Sequence, residues 1–210
     1  NEEIKDFASD HITAMVYNSQ LRNFNNPAVI GYSQSHDEER TMFKNLLFGN
    51  SSGSYNIKKL PTALRQEEAA ASVIFTIPGP KMIWQFQERG YDSSINANGG
   101  RTANKPPLWH YMNDANRKHL YDTYSSIIQF RLNNPAIFNN TSFTYDLSSG
   151  LFKVFQIADP NTAGKKVTVV ANFDVTAQTK SVTFQATGDW TNYISNGIGT
   201  GVNGATASNY

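Results

Sequence analysis

The sequence predicts two parts of different fold class: an α/β part over residues 1–136 and an all-β part over residues 137–210. In the first part, segments with helical spacing of apolar residues alternate with short apolar runs typical of buried strands. In the second part only strand-like segments occur, and turn residues separate them. The charge density also changes, since 27 of the 35 charged side chains lie before residue 137.

The first part is predicted to run helix, strand, helix, strand, helix, which is the order of βα units on a parallel sheet. Pro61 favours the first turn of the middle helix, because a proline there loses no hydrogen bond. Asn113 is predicted to cap the last helix, and Asn134-Pro135 is predicted to end it. The five segments are residues 2–16, 28–32, 61–72, 81–86 and 114–133.

The second part is predicted to form an antiparallel β-sandwich. Residues 151–157 largely alternate between apolar and polar side chains, as expected of a strand with one buried face. Residues 166–173 and 181–185 are the next predicted strands, and their spacing is typical of a sandwich. The tail over residues 195–209 is rich in small and polar residues, which predicts a loop.

Composition excludes several classes of function. Eighteen basic and 17 acidic residues give a net charge of +1, so the chain lacks the concentrated basic field that nucleic acids or membrane surfaces attract. No apolar run approaches the roughly 18 residues of a membrane span. The sequence has no cysteine, which excludes disulfides and thiolate metal sites. Its four histidines show no paired ligand spacing, so no metal site is predicted.

The predicted parallel sheet is incomplete. Two strands are too few, because a (β/α)8 barrel has eight and an open doubly wound sheet usually has about five or six. The sequence therefore predicts either that these residues belong to a longer protein or that their strand edges pair with another chain. Self-association through an exposed sheet edge follows from the second alternative.

The clearest chemical signal is the segment Ser35-His36-Asp37-Glu38-Glu39-Arg40, directly after the first predicted strand. In α/β barrels the loops that follow the strands converge on one cavity. An imidazole beside a carboxylate can bind vicinal hydroxyls, as sugars require. One structural alternative stays open, in which Asp37, Glu38 and Glu39 form the first turn of a helix and face its dipole.

Four segments carry a family resemblance in a fixed order. Residues 31–40 read GYSQSHDEER and residues 77–92 read IPGPKMIWQFQERGYD. The third segment runs from residues 117–121, RKHLY, through residues 130–135, FRLNNP, and the fourth is residues 169–173, VVANF. They resemble, in turn, the fourth signature region, the eighth barrel strand, the last barrel helix and the trailing β domain of the α-amylase family of glycoside hydrolases.

The resemblance implies a partial (β/α)8 TIM barrel, made of its last two βα units, followed by an antiparallel β-sandwich domain. It implies a parent enzyme that hydrolyses α-1,4-glucans such as starch by a retaining mechanism. In the family, the matching histidine and aspartate bind hydroxyls of the sugar at the cleaved position. The match therefore assigns sugar binding to His36 and stabilisation of the oxocarbenium-like transition state to Asp37.

The two bond-breaking carboxylates are expected to be absent. A retaining glycosidase needs a nucleophile and an acid/base about 5–5.5 Å apart. In the family the nucleophile lies within a Gly-x-Arg-x-Asp pattern, and this sequence contains no such pattern. The isolated chain is therefore expected to be inactive.

Further substrate-binding candidates lie beside the two predicted strands. Aromatic side chains there can stack on the apolar face of a pyranose ring, although a core position is the alternative for Trp84 and for Tyr32. Glu88 has the alternative of a loop salt bridge with Arg89 or Arg101. The candidates are Tyr32, Arg40, Trp84, Glu88 and Tyr91.

The implied ligand is an α-glucan or maltooligosaccharide. No cofactor is expected in this chain, and the resemblance implies that any calcium site of the parent lies in its other regions.

The sequence does not determine the cellular compartment, and the resemblance slightly favours a location outside the cytoplasm. One alternative function is a non-catalytic carbohydrate-binding module that keeps the β domain and contacts a glucan through the His36–Asp37 edge. For the aromatic pair Trp190 and Tyr193, a secondary starch-binding surface is the alternative to packing. The other is part of a transglycosylating or branching relative.

Overall fold

The structure is a computed structural model, and it describes residues 25–26, 28–139, 143–147, 150–194 and 204–207. The predicted helix over residues 2–16 lies outside the described residues. The helices are α1 (Thr41–Phe48), α2 (Leu60–Ile74), α3 (Ala115–Asn133) and α4 (Pro135–Phe138), with 3-10 helices at Gln87–Arg89 and Trp109–Asn113. The strands are β1 (Ser51–Ser52), β2 (Tyr55–Asn56), β3 (Phe143–Asp146), β4 (Phe152–Ala158), β5 (Lys166–Asn172), β6 (Gly188–Thr191) and β7 (Gly204–Ala207).

Local sequence signals explain the ends of α2 and α3. Pro61 lies in the first turn of α2, as predicted. The cap of α3 is Asp114 rather than Asn113, because the Asp114 carboxylate accepts hydrogen bonds from the backbone N–H groups of Asn116 and Arg117 at 2.9 and 3.0 Å. The predicted end of α3 is confirmed, since the helix stops at Asn133 and Pro135 begins the short helix α4.

Helix α1 was not predicted, and it begins after the acidic segment. The Gln34 side-chain oxygen accepts hydrogen bonds from the backbone N–H and the hydroxyl of Thr41, at 2.9 and 3.0 Å. This contact satisfies a donor of the first turn. Asp37 and Glu39 therefore lie in the turn before the helix, and the alternative that placed them in its first turn is wrong.

The two predicted parallel strands are reduced to a single bridge. Gly31 and Lys81 pair in parallel, as predicted for their segments, through Gly31 N–H to Pro80 O at 2.9 Å and Met82 N–H to Gly31 O at 3.1 Å. The prediction of continuous strands buried on both faces is wrong for the described residues, since Ile30 is 57% exposed and Ile83 is 38% exposed. A parallel strand needs hydrogen-bonded neighbours to extend, and within the described ranges each of these two segments pairs only with the other.

Arg131 and Gly90 fix the two ends of the segment that contains Lys81. Arg131 donates hydrogen bonds to the carbonyls of Phe75, Ile77 and Gly79 at 2.9, 2.9 and 2.6 Å, which holds the turn between α2 and Lys81. At the other end, Gly90 has a φ of 63° and lies against α2. A Cβ at this position would lie 2.3 Å from Cδ2 of Leu64. Only glycine fits this left-handed position without displacing its neighbour.

The β part contains a three-stranded antiparallel sheet in the order β3-β4-β5 and a two-stranded antiparallel sheet of β6 and β7. Strands β4 and β5 confirm the predictions within one residue at each end. Residues 181–185 were predicted as a strand and do not form one; Gln185 instead reaches the carbonyl of Ile157 through its side chain, at 3.0 Å. The predicted tail loop is wrong at Gly204–Ala207, which pairs with β6.

In the part of the chain that the structure describes, two hydrophobic clusters form the core. The first joins α2 and α4 to the three-stranded sheet, with Phe155 fully buried and its ring 5.1 Å from that of Phe143. Because this cluster draws on both sides of residue 136, the α/β part and the β part pack against each other. The second cluster packs α1, α2 and α3 together around Leu64 and Tyr124. None of the helices in the described ranges has the length and apolar character of a membrane crossing.

Candidate functional site

His36 and Asp37 lie at the tip of the turn that joins the Gly31 bridge to α1. The Ser35 hydroxyl shapes this turn, because it accepts a hydrogen bond from the backbone N–H of Asp37 at 3.1 Å and also donates to Glu38. The two side chains stand in solvent, 70% and 62% exposed, with His36 Nε2 3.4 Å from Asp37 Oδ2. The turn therefore presents an imidazole and a carboxylate side by side on the surface.

Trp84 and Arg101, which both follow Lys81 in the sequence, lie next to this pair. The Trp84 ring lies with its centroid 5.7 Å from that of His36. The Arg101 guanidinium donates from Nη1 to Asp37 Oδ1 at 3.1 Å. Trp84 was a predicted candidate for this position. Arg101 was considered only as a partner for Glu88, because no local sequence signal connects it to a residue 64 positions earlier.

Arg40 and Tyr91 were predicted to contact substrate, and this prediction has to be corrected. Arg40 is 1% exposed and Tyr91 is 0% exposed, so neither presents a surface to a ligand. The Arg40 guanidinium lies 4.8 Å from the Tyr91 ring and 5.8 Å from the Trp84 ring, and it donates to the carbonyl of Gln85 at 3.3 Å. Burial lowers the pKa of Arg40. Arg40 therefore lies between the rings of Tyr91 and Trp84 as a structural contact.

The remaining two candidates lie apart from the His36–Asp37 turn. Glu88 lies with Oε1 3.1 Å from Arg89 Nε, which is the loop salt bridge weighed as its alternative. Tyr32 is 42% exposed, and the contacts found among the described residues do not join it to His36 or Asp37. Trp109 is 62% exposed, and its ring lies 4.7 Å from the Arg89 guanidinium and 4.9 Å from the Phe86 ring.

The aromatic pair weighed for a carbohydrate-binding module is packed. The Trp190 ring lies 4.9 Å from that of Phe184 in an edge-on arrangement. The Tyr193 ring lies 4.3 Å from that of Phe130 on α3, and the Tyr193 hydroxyl donates to the carbonyl of Ser126 at 3.4 Å. These contacts favour a structural role for both side chains.

The donors and acceptors around Asp37 suit a polyhydroxylated ligand better than a metal ion. A carboxylate accepts hydrogen bonds from hydroxyl groups, and an imidazole can donate one and accept another. The flat indole beside them offers an apolar face of the kind on which a sugar ring stacks. Among the described residues there is no group of three or more histidine, aspartate and glutamate side chains that could hold a metal ion.

Comparison with known proteins gives a result only at the level of structure. No family model matches the chain, and no curated protein matches it. Among solved structures, the chain is similar to a segment of an α-amylase-family enzyme. That enzyme is pullulanase from Bacillus acidopullulyticus, with a TM-score of 0.59 and 25% sequence identity. The match covers 84% of this chain, which spans 22% of the pullulanase chain. Over most of its length, the chain is therefore similar in structure to part of a pullulanase.

Proposed function

We propose that these residues are the carboxyl-terminal portion of an α-amylase-like glycoside hydrolase that cleaves α-1,4-glucans with retention of configuration. The observation that carries the proposal is the exposed His36–Asp37 pair, 3.4 Å apart and next to Trp84. The His36–Asp37 pair follows the segment around Gly31. That segment pairs in parallel with the segment around Lys81, which bears Trp84. The pullulanase similarity over 84% of the chain supports the proposal independently of this geometry.

The proposed roles follow from the chemistry of each group. The Asp37 carboxylate steadies the positive charge that develops on the sugar ring during cleavage, because an opposite charge close to the reacting centre stabilises that state. His36 donates a hydrogen bond to a hydroxyl of the same sugar. Trp84 offers a surface for a neighbouring ring. Arg40, whose guanidinium lies 5.8 Å from the Trp84 ring, holds the indole in place.

A complete catalytic centre needs two more carboxylates about 5–5.5 Å apart. We place them in parts of the protein outside these 210 residues, because the sequence has no Gly-x-Arg-x-Asp pattern. Any calcium site belongs to those parts as well.

The proposed fold is the end of a (β/α)8 barrel followed by a β-sandwich. The segments around Gly31 and Lys81 correspond to the last two barrel strands, and α3 corresponds to the final barrel helix. The exposed Ile30 and Ile83 side chains support this proposal, since the interior side chains and the helices of a complete barrel would cover them. For the isolated chain, which lacks the rest of the barrel, self-association through the exposed edges of the segments around Gly31 and Lys81 stays a prediction.

The experiment that tests the proposal compares reducing-sugar release from soluble starch by the 210-residue chain and by the full-length protein that contains it. We expect release by the full-length protein and none by the isolated chain, because the nucleophile and the acid/base are missing from the latter. Turnover by the isolated chain, retained after purification from contaminating amylases, would contradict the assignment of roles. Absence of activity in the full-length protein would contradict the proposed enzyme.

A further inference from the structure

The loop over residues 93–105 is wound around the ammonium group of Lys105. Its Nζ donates hydrogen bonds to three backbone carbonyls of the same loop, those of Ala97, Gly100 and Ala103, at 3.1, 2.7 and 2.9 Å. Hydrogen bonds from a charged donor are stronger than those between neutral groups. One lysine therefore holds the loop in a defined shape without help from a helix or strand.

The backbone of this loop reverses direction just before Arg101. Asn98, Gly99 and Gly100 all have positive φ angles, of 61°, 104° and 123°. The Asn98 side-chain amide closes the reversal by donating to the carbonyl of Asn104 at 3.0 Å. A Cβ on Gly99 or Gly100 would meet no atom within 4 Å, so the backbone conformation, not crowding, requires glycine there. The reversal aims Arg101 back toward the His36–Asp37 turn.

Glu39 ties the start of the loop to that turn. Its carboxylate accepts hydrogen bonds from the Ser94 hydroxyl at 2.7 Å and from the backbone N–H of Ile95 at 2.8 Å. The same carboxylate accepts from the backbone N–H of Arg40 at 2.9 Å. Glu39 is two residues from Asp37, so the loop and the turn are fastened together next to the candidate site.

We infer that Arg101 is a positioning residue for Asp37, presented by a loop that Lys105 and Glu39 hold in shape. The inference rests on the proposed function of Asp37. With Arg101 on Oδ1 at 3.1 Å and His36 3.4 Å from Oδ2, each carboxylate oxygen faces a partner, which fixes the plane of the carboxylate. An exposed ion pair by itself adds little to stability. Orientation of Asp37 therefore explains the contact better than stabilisation of the fold.

The experiment measures kcat and KM for maltooligosaccharide hydrolysis by the full-length protein and its variants. We expect Arg101→Ala to lower kcat about tenfold while KM changes less than about twofold, because a misaligned carboxylate weakens contacts made in the transition state. Arg101→Lys, which keeps the charge, is expected to recover most of the loss. Lys105→Ala should also lower kcat. This variant keeps the Arg101 side chain but loosens the loop that presents it to Asp37.

The control is Lys118→Ala, which removes an exposed ion pair with Asp122 on α3 and is expected to leave kcat unchanged. Melting temperatures of all variants identify any loss of fold. If Arg101→Ala keeps wild-type kcat while Asp37→Asn is inactive, the inference is overturned and the proposed function stands. If Asp37→Asn keeps its activity, the proposed function fails and the inference fails with it.

Discussion

Asparagine in place of Asp37 is expected to lower the kcat of the full-length protein on soluble starch by about a thousandfold. Such a loss is of the size seen when one preorganised electrostatic group is removed from a transition state. Asparagine keeps the size and one acceptor oxygen of aspartate but removes its negative charge. The developing positive charge on the sugar ring then loses one stabilising negative charge, whereas ground-state contacts to hydroxyls are partly kept.

The matched control is Asp122→Asn, which neutralises a carboxylate on α3 that pairs with Lys118 at 2.6 Å. It is expected to retain wild-type kcat. A His36→Ala variant should give a smaller loss than Asp37→Asn, because a hydroxyl contact carries no formal charge. Full activity in Asp37→Asn would remove Asp37 from the catalytic centre.

The second large effect is on stability, and it comes from the buried Glu67. This side chain is 1% exposed on α2. Its Oε1 accepts a hydrogen bond from the Asn45 side-chain amide at 3.3 Å, whereas Oε2 has no hydrogen-bond partner among the described residues. Burial raises the pKa of Glu67 to about 7. The folded chain therefore favours the protonated carboxyl.

The pH dependence follows from linkage. In the unfolded chain this carboxyl titrates near its ordinary pKa of 4.5. Between that pH and 7 the folded state holds a proton that the unfolded state has released, so stability falls as the pH rises. The contribution is fully present below pH 4.5 and is lost as the pH passes through about 7. The total loss from this one group is roughly 3 kcal/mol.

Urea unfolding of the wild-type chain and of Glu67→Gln, at pH values from 4.5 to 8, measures this term. The free energy of unfolding of the variant, relative to wild type, is expected to rise by about 3 kcal/mol across the range, because glutamine cannot ionise. Asp122→Asn serves as the control for the loss of one acidic group on the surface. A difference between Glu67→Gln and wild type that stays constant with pH would show that Glu67 is not held protonated.

The parts of the fold that were predictable depend on short-range signals. Helix α2 follows from Pro61, the end of α3 follows from Asn134-Pro135, and β4 and β5 follow from their apolar residues. The segments over residues 28–32 and 81–86 were predicted as strands from composition. Composition cannot show whether a strand has neighbours, and these segments have one bridge between them. Helix α1 depends on Gln34, whose capping contact crosses seven residues and carries no sequence signature.

The candidate site divides in the same way. His36 and Asp37 are adjacent in sequence, so their pairing at a turn could be anticipated. Arg101 reaches Asp37 through a loop whose shape depends on Lys105 and on three backbone carbonyls, and such contacts leave no periodic pattern. The burial of Arg40 and Tyr91 also escaped prediction, because it comes from the packing of the 87–91 segment against α2 and α3.

The central claim is that the His36–Asp37 pair binds the sugar at the cleaved position of an α-glucan. The most direct measurement is a structure of the full-length Asp37→Asn protein with a bound maltooligosaccharide. We expect hydroxyls of one glucose ring within about 3 Å of both side chains, with a neighbouring ring against Trp84. A glucan bound in a cleft that excludes His36 and residue 37 would contradict the account.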